Sequence, residues 1–247
     1  MDSLYVQTIG PMQDLSTTFP LLVEDEFRLL KELVGLAGRE ILDVGCGAAG
    51  MTERIATQGE ARRVVGLEVD AIQLEKNRAR AWPAGVEFER CGAQALPYGD
   101  ANYDGITLFK SLHHVPVAAM DEAFHQMQRV LRPGGWLFIS EPVYQGPFND
   151  IVRLFHDEGV VRHEALQATE RAIERGLLRH ARRVQFMAPI AFRDFDDFRQ
   201  RLMQPTHSPL AIDAALEDSV RRAYEQHQSP SGAHFIRPMR VDLLVKS

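Results

Sequence analysis

The chain has 247 residues, a net charge of −6 and 45% apolar residues, which suits one folded α/β domain with an insertion. The acidic balance argues against broad binding of phosphate backbones, so nucleic acid is not an expected partner. Cys46 and Cys91 give neither a disulfide framework nor a zinc spacing, no apolar run reaches the roughly 18 residues of a membrane span, and Met1-Asp2-Ser3-Leu4 lacks the basic region and apolar core of a signal peptide, so a cytoplasmic protein without membrane contact is expected.

Residues 1–20 are mixed, with Gly10, Pro11 and Pro20 as breaks. Leu21 to Leu36 reads as an amphipathic helix through Leu22, Phe27, Leu29, Leu30, Leu33 and Val34. It either packs ahead of the first strand or, with the residues before it, makes residues 1–36 a lid over a ligand. Ile41 to Val44 reads as a short buried strand with Asp43 as its one carboxylate. Glycines follow at 45, 47 and 50, and Met51 to Ala56 reads as helix. A strand, a glycine-rich turn and a helix start together suit a nucleotide: glycine allows close backbone approach, and the helix start offers unpaired N–H groups and partial positive charge. The spacing also matches G-x-G-x-x-G, and Glu68, at the end of a second strand over 63–69, stands where a ribose-binding acid belongs. Asp43 separates the two readings of this turn: a carboxylate repels a pyrophosphate and attracts a cationic amino acid.

A helix is expected over Ala71–Arg80 and a third strand over Val86–Arg90, leading into Cys91-Gly92-Ala93-Gln94-Ala95-Leu96-Pro97-Tyr98. Tyr103 to Phe109 reads as the fourth strand, followed by Lys110-Ser111-Leu112-His113-His114. Pocket residues belong at the carboxyl ends of parallel strands, which makes Phe109, Lys110 and His114 candidates. His114 suits a general base, a substrate contact or a loop-fixing hydrogen bond. Lys110 suits an acidic substrate, a pair with Glu141, or plain solvent. Met120, Phe124, Met127 and Leu131 form a helical core stripe. Leu131 to Gly135 then stops the helix and turns into a fifth strand, Trp136–Ser140, with Glu141 at its end as a base or substrate anchor.

Residues 143–182 are charge-rich and show no strand pattern, with helices expected over Asn149–Asp157 and Arg162–Leu178. Arg153, His156, Arg162 and His163 are solvated helix residues or substrate contacts; His156 and His163 lack further ligands, so no metal site is expected. A sixth strand is expected over Val184–Ile190 and helices over 194–203 and 211–227. Met239, Val241, Leu243 and Val245 then alternate with Arg240, Asp242 and Lys246, the pattern of an antiparallel last strand with one face exposed.

Ile41 to Gly47 resembles the first motif of the class I S-adenosylmethionine-dependent methyltransferases. The Gly92–Tyr98 stretch is similar to that family's Gly-Asp-Ala-x-x-Leu-Pro-Phe, except that Gly92 stands where the family usually has an adenine-holding aspartate. Asp104 with His113-His114, and Leu131-Arg132-Pro133-Gly134-Gly135, resemble it in register. The resemblance implies an α/β fold: a doubly wound, seven-stranded, mostly parallel sheet with an antiparallel last strand. It also implies one methyltransferase domain over 1–247, with 143–182 as a helical cap between strands 5 and 6. The implied cofactor is S-adenosylmethionine. Asp43 and the Gly45-Cys46-Gly47 backbone hold the methionine part, with Phe109 and Lys110 near it. Glu68, with Val69 beside it, takes the ribose, and Gly92 and Ala93 take the adenine, which Gln94 is also placed to read. No Asn-Pro-Pro-Tyr stands after the fourth strand, which points to a small-molecule acceptor; the oligomeric state is not legible. Two alternatives stay open: an NAD(P)-dependent oxidoreductase, weakened by the lack of Tyr-x-x-x-Lys after the fourth strand, and a non-catalytic regulator that binds the methyl donor.

Overall fold

A computed structural model describes residues 21–204 and 211–247; the expectations on residues 1–20, including the front of the lid segment, lie outside the described residues. Apolar strands alternate with amphipathic helices, and the result is a sheet with helices on both faces. The strands are β1 (Glu40–Val44), β2 (Arg63–Leu67), β3 (Val86–Glu89), β4 (Tyr103–Phe109), β5 (Leu131–Pro142), β6 (Arg179–Phe192), the two-residue β7 (Gln228–Ser229) and β8 (Gly232–Val245). Their order is β3-β2-β1-β4-β5-β8-β6, with β7 folded back on β8. β1 to β5 run parallel, and β8 runs antiparallel to both β5 and β6. The expected seven-stranded sheet with a reversed last strand is therefore present, with β7 added as a short return. The strand order reverses between β1 and β4, and the crevice at their carboxyl ends is where α/β sheets take ligands.

The helices are α1 (Glu26–Leu33), α2 (Gly50–Thr57), α3 (Ala71–Arg78), α4 (Met120–Val130), α5 (Pro147–Val152), α6 (Gly159–Glu174), α7 (Phe195–Phe198) and α8 (Ala214–Glu225). Leu42, Leu67, Leu108 and Ile139 face α4 and α6, where Met120, Phe124, Met127, Ala165 and Ala168 are buried. Ile41, Val64, Phe138 and Val241 face α1 and α2, meeting Phe27, Leu30 and Ile55. A third core, of Phe148, Phe192, Phe198, Tyr224 and Phe235, lies apart from both. It joins α5, α7 and α8 to the far ends of β6 and β8.

Three expectations need correction. The helix foreseen over Leu21–Leu36 starts only at Glu26, because Asp25 caps it through Phe27 N–H (3.1 Å), and Arg54 holds that carboxylate at 2.7 Å. Residues 21–23 instead pair with the sheet edge: Met187 N–H donates to Leu21 O (2.7 Å) and Val23 N–H to Met187 O (2.9 Å). β5 and β6 are longer than their apolar runs; β5 begins at Leu131, and β6 at Arg179, inside the span read as strand-free. The alternation on β8 does not mark an exposed face. Arg240 and Asp242 are buried, because Asp242 accepts from Arg183 Nε (2.5 Å) and Arg240 Nε (2.7 Å), and this pairing lets charge stand under α6.

Candidate active site

The turn after β1 is fixed from both sides. Gly45 N–H and Cys46 N–H both donate to Leu67 O at 2.9 Å, tying the turn to the end of β2, and Ser111 Oγ donates to Val44 O (2.7 Å). Gly45 has φ +70°, and a Cβ there would lie 2.5 Å from Ser111 Cβ, so both conformation and space demand glycine. The α2 start has Ala49 as its cap, with no side chain capping it, so its N–H groups stay open toward the turn.

Asp43 is buried, 2% exposed, and accepts from Thr52 Oγ1 (2.6 Å) and Thr107 Oγ1 (2.8 Å). Burial pushes its carboxyl above the ordinary range, and the two threonine hydroxyls pull it back. Each oxygen keeps further acceptor capacity, and the anionic form gains from any cation brought near. Glu68 is also buried. Its Oε2 accepts from Gly47 N–H and its Oε1 from Asp70 N–H, both at 2.9 Å, so one carboxylate bridges the β1 and β2 turns. Asn77, on the buried side of α3, donates to Gly47 O (2.7 Å). Sequence reasoning missed it; the available signal was an amide among the inward positions of the 71–78 helix. Val69 is 61% exposed, beside Glu68. After β3, Ala93 is buried, and a Cβ on Gly92 would lie 2.6 Å from Gln94 Oε1. The Gln94 carboxamide therefore folds back into the space a side chain at 92 would need.

The ends of β4 and β5 carry a second group of polar residues. Phe109 is half-buried, and Lys110, held at φ +55°, pairs through Nζ with Glu26 of α1 rather than with Glu141. Ser140 Oγ also donates to Glu26 (2.9 Å). Glu141 alternates to the opposite face of β5, which is why Lys110 does not meet it. There Glu141 is buried, accepts from Leu112 N–H (2.9 Å) and pairs with His113 Nδ1. His113, not His114, is the buried member of the pair; His114 is exposed, its ring 4.2 Å from that of His113. The His113 Nε2 side faces Glu158 at 3.6 Å, and Glu158 in turn binds His156 (2.9 Å) and Arg162 (2.5 Å). Of the four cap residues singled out by sequence, Arg162 and His156 thus reach this cluster, while Arg153 and His163 stay exposed. No sequence periodicity distinguished Glu158 or His113, because neither lies on a regular apolar stripe.

Burial acts to lower the His113 imidazole, but Glu141 and Glu158 outweigh it and raise it to about 9. Glu158 is held well below the ordinary carboxylate value: burial opposes this, and His113, Arg162 and His156 prevail. His113 is therefore an imidazolium at neutral pH and cannot accept a proton there. Ligand atoms of His113, His114 and Glu158 lie within 4.8 Å of one another, but His113 and Glu158 already meet charge partners within the cluster. Because His113 is raised, its stabilising contribution is complete below pH 6.5 and is lost as pH rises through about 9. Glu158 is lowered, so its contribution holds above the ordinary carboxylate value and is lost on acidification. Urea denaturation of the protein and of His113→Gln across alkaline pH should show the wild-type advantage shrinking by about 3 kcal/mol. An advantage that stays constant through pH 9 would count against a charged His113.

Residues 41–135 match the family described as "Methyltransferase domain". The 27-O-demethylrifamycin SV methyltransferase of Amycolatopsis mediterranei (strain S699) is 35% identical over 154 residues, 57% of this chain and 53% of that protein. The ubiquinone/menaquinone biosynthesis C-methyltransferase UbiE of Hahella chejuensis is 32% identical over 126 residues, 49% of each. The chain thus spans about half the length of these curated relatives. Among solved structures, the YcgJ protein from Bacillus subtilis superposes with a TM-score of 0.64 at 20% identity, covering 89% of this chain and 97% of that one, a likeness of fold. No helix among the described residues is long and apolar enough to cross a membrane. The family match covers the Asp43 turn, Glu68 and the ends of β3 and β4, and residues 41–135 carry a class I S-adenosylmethionine-dependent methyltransferase domain.

Proposed function

We propose that the chain transfers a methyl group from S-adenosylmethionine to a small-molecule acceptor seated over the carboxyl ends of β4 and β5 and the amino-terminal half of β8, beneath the helices that follow β5. The observation that carries this reading is the pair of buried acids around one glycine turn. Asp43 offers a desolvated negative charge in a site whose ligand bears an ammonium and a sulfonium. Glu68 presents two carboxylate oxygens that backbone N–H groups now hold in place. In this reading Asp43 and the Gly45–Gly47 backbone take the methionine end, with Phe109 and Lys110 beside it. Glu68 and Val69 take the ribose, and Gly92, Ala93 and Gln94 the adenine.

When bound, the donor supplies a methyl group on a positively charged sulfur, open to in-line attack. The protein's part is to align the two reactants and exclude water. The cluster of His113, Glu141, Glu158 and Arg162 braces the acceptor side against the cap. His113, being protonated, donates hydrogen bonds there and does not serve as a base near neutral pH. Gln94, folded over Gly92, supplies the amide acceptor and donor for the adenine edge. Gln94→Ala should weaken S-adenosylhomocysteine binding about 5- to 10-fold by calorimetry, the loss of one or two neutral hydrogen bonds. No change in affinity would remove Gln94 from the adenine site.

The overall reading is tested by calorimetry with S-adenosylhomocysteine and NADH, followed by incubation with methyl-labelled donor and a small-molecule extract. Binding of the first ligand alone, with label appearing in the extract, is the expected result. Binding without transfer to any acceptor would instead support the regulatory alternative.

A further inference from the structure

β8 continues beyond its last pairing with β5. Met239 faces Pro142 at the end of β5, and Arg237 lies two residues farther on, still paired with Ala188 of β6. Residues 237, 239 and 241 alternate onto one face. Met239 and Val241 pack on that face with Phe27 and Leu30 of α1. Arg237 thus stands above the carboxyl end of β5, near the start of α1. Its Nε is buried and has no hydrogen-bond partner among the described residues, and the same holds for Nε of Arg162, which arrives from α6. Burial and the like charge of Arg162 hold the Arg237 guanidinium below its usual range, with Glu26 pulling the other way. The carboxylates around the site are already taken: Glu26 by Lys110 and Ser140, Glu141 by His113, and Glu158 by Arg162 and His156. Among the described residues, no carboxylate forms an ion pair with Arg237.

We propose that Arg237, with Arg162 beside it, binds an oxyanion on the methyl acceptor, so that the substrate class is a small carboxylate or phosphate. This rests on the methyl-transfer reading and adds the acceptor's charge to it. A guanidinium N–H buried without an acceptor is costly, and the cost is recovered when an anion enters. Guanidinium is the side chain suited to this, since its planar fork meets two oxygens of a carboxylate or phosphate at once. The net charge of −6 makes a local excess of positive charge at the acceptor end a feature of the site and not of the whole surface.

The test is thermal melting of the protein saturated with S-adenosylhomocysteine, in acetate, inorganic phosphate or chloride at equal ionic strength. Acetate or phosphate should raise the midpoint in a saturable way, by about 3 °C at ten times its dissociation constant, relative to chloride. Arg237→Met should abolish that response. It should also melt at or above the wild type in the chloride buffer, because an unsatisfied buried donor is gone. A response to acetate alone assigns a carboxylate acceptor, and to phosphate alone a phosphorylated one. The proposal is overturned if neither anion exceeds chloride, if Arg237→Met keeps the response, or if Arg237→Met melts more than about 3 °C lower in the chloride buffer. The midpoint shift from S-adenosylhomocysteine itself is read alongside. Its absence would overturn the methyl-donor reading, whereas its presence without an oxyanion response would overturn only the present inference.

Discussion

Asp242→Ala is expected to lower the stability of the protein by about 3–5 kcal/mol, a large share of the roughly 5–15 kcal/mol that holds a domain together. Asp242 is fully buried in β8, opposite Ile139 of β5 and Arg183 of β6. It accepts from Arg183 at 2.5 Å and from Arg240 at 2.7 Å, and Arg183 also reaches Glu170 of α6 at 2.5 Å. Removing the carboxylate leaves Arg240 without its partner between sheet and helix, and Arg183 with Glu170 alone. Asp242→Asn keeps the shape and one acceptor, and should lose less. The check is urea denaturation with the dependence on denaturant held in view, since a changed slope would mean a changed end state and not a changed stability. A loss under about 1 kcal/mol for Asp242→Ala would mean that water reaches these arginines and the pairing is not a buried one.

Glu68→Ala should weaken S-adenosylhomocysteine binding by about 100-fold or more, near 3 kcal/mol, from two charge-assisted hydrogen bonds to the ribose. The same change removes the acceptor for Gly47 N–H and Asp70 N–H, so the unliganded protein should also lose about 1–2 kcal/mol. Glu68→Gln separates the two effects. Its carbonyl still accepts one backbone bond, and it should recover most of the stability but only part of the affinity. Calorimetry and melting of the three proteins decide the matter. Unchanged affinity in Glu68→Ala would take the ribose away from Glu68 and leave it as a brace between the two turns.

The glycine turn after β1 and the strand-end position of Glu68 were legible because each is set by a short local run of residues. Asp43, the glycines at 45 and 47, and Glu68 lie at the ends of short strands, where one local pattern positions each group. The polar cluster at the ends of β4 and β5 was not, because its groups meet only through the fold. His113 finds Glu141 28 residues away, and Glu158 faces the other side of the His113 ring from the start of α6. Neither the choice of His113 over His114 nor the inward turn of Glu141 leaves a trace in periodicity. The last strand shows the same limit in another form. Alternating charge on β8 correctly signalled a strand, and a short return signalled its reversed direction, but the buried arginine–aspartate cluster turned what read as a solvent face into an interior one.

The aromatic cluster of Phe148, Phe192, Phe198, Tyr224 and Phe235 shares no residue with the two cores that sandwich the rest of the sheet. Substitutions in it therefore need not disturb the packing around the Asp43 turn, so the end of the molecule built from α5, α7 and α8 can change shape while that turn stays constant.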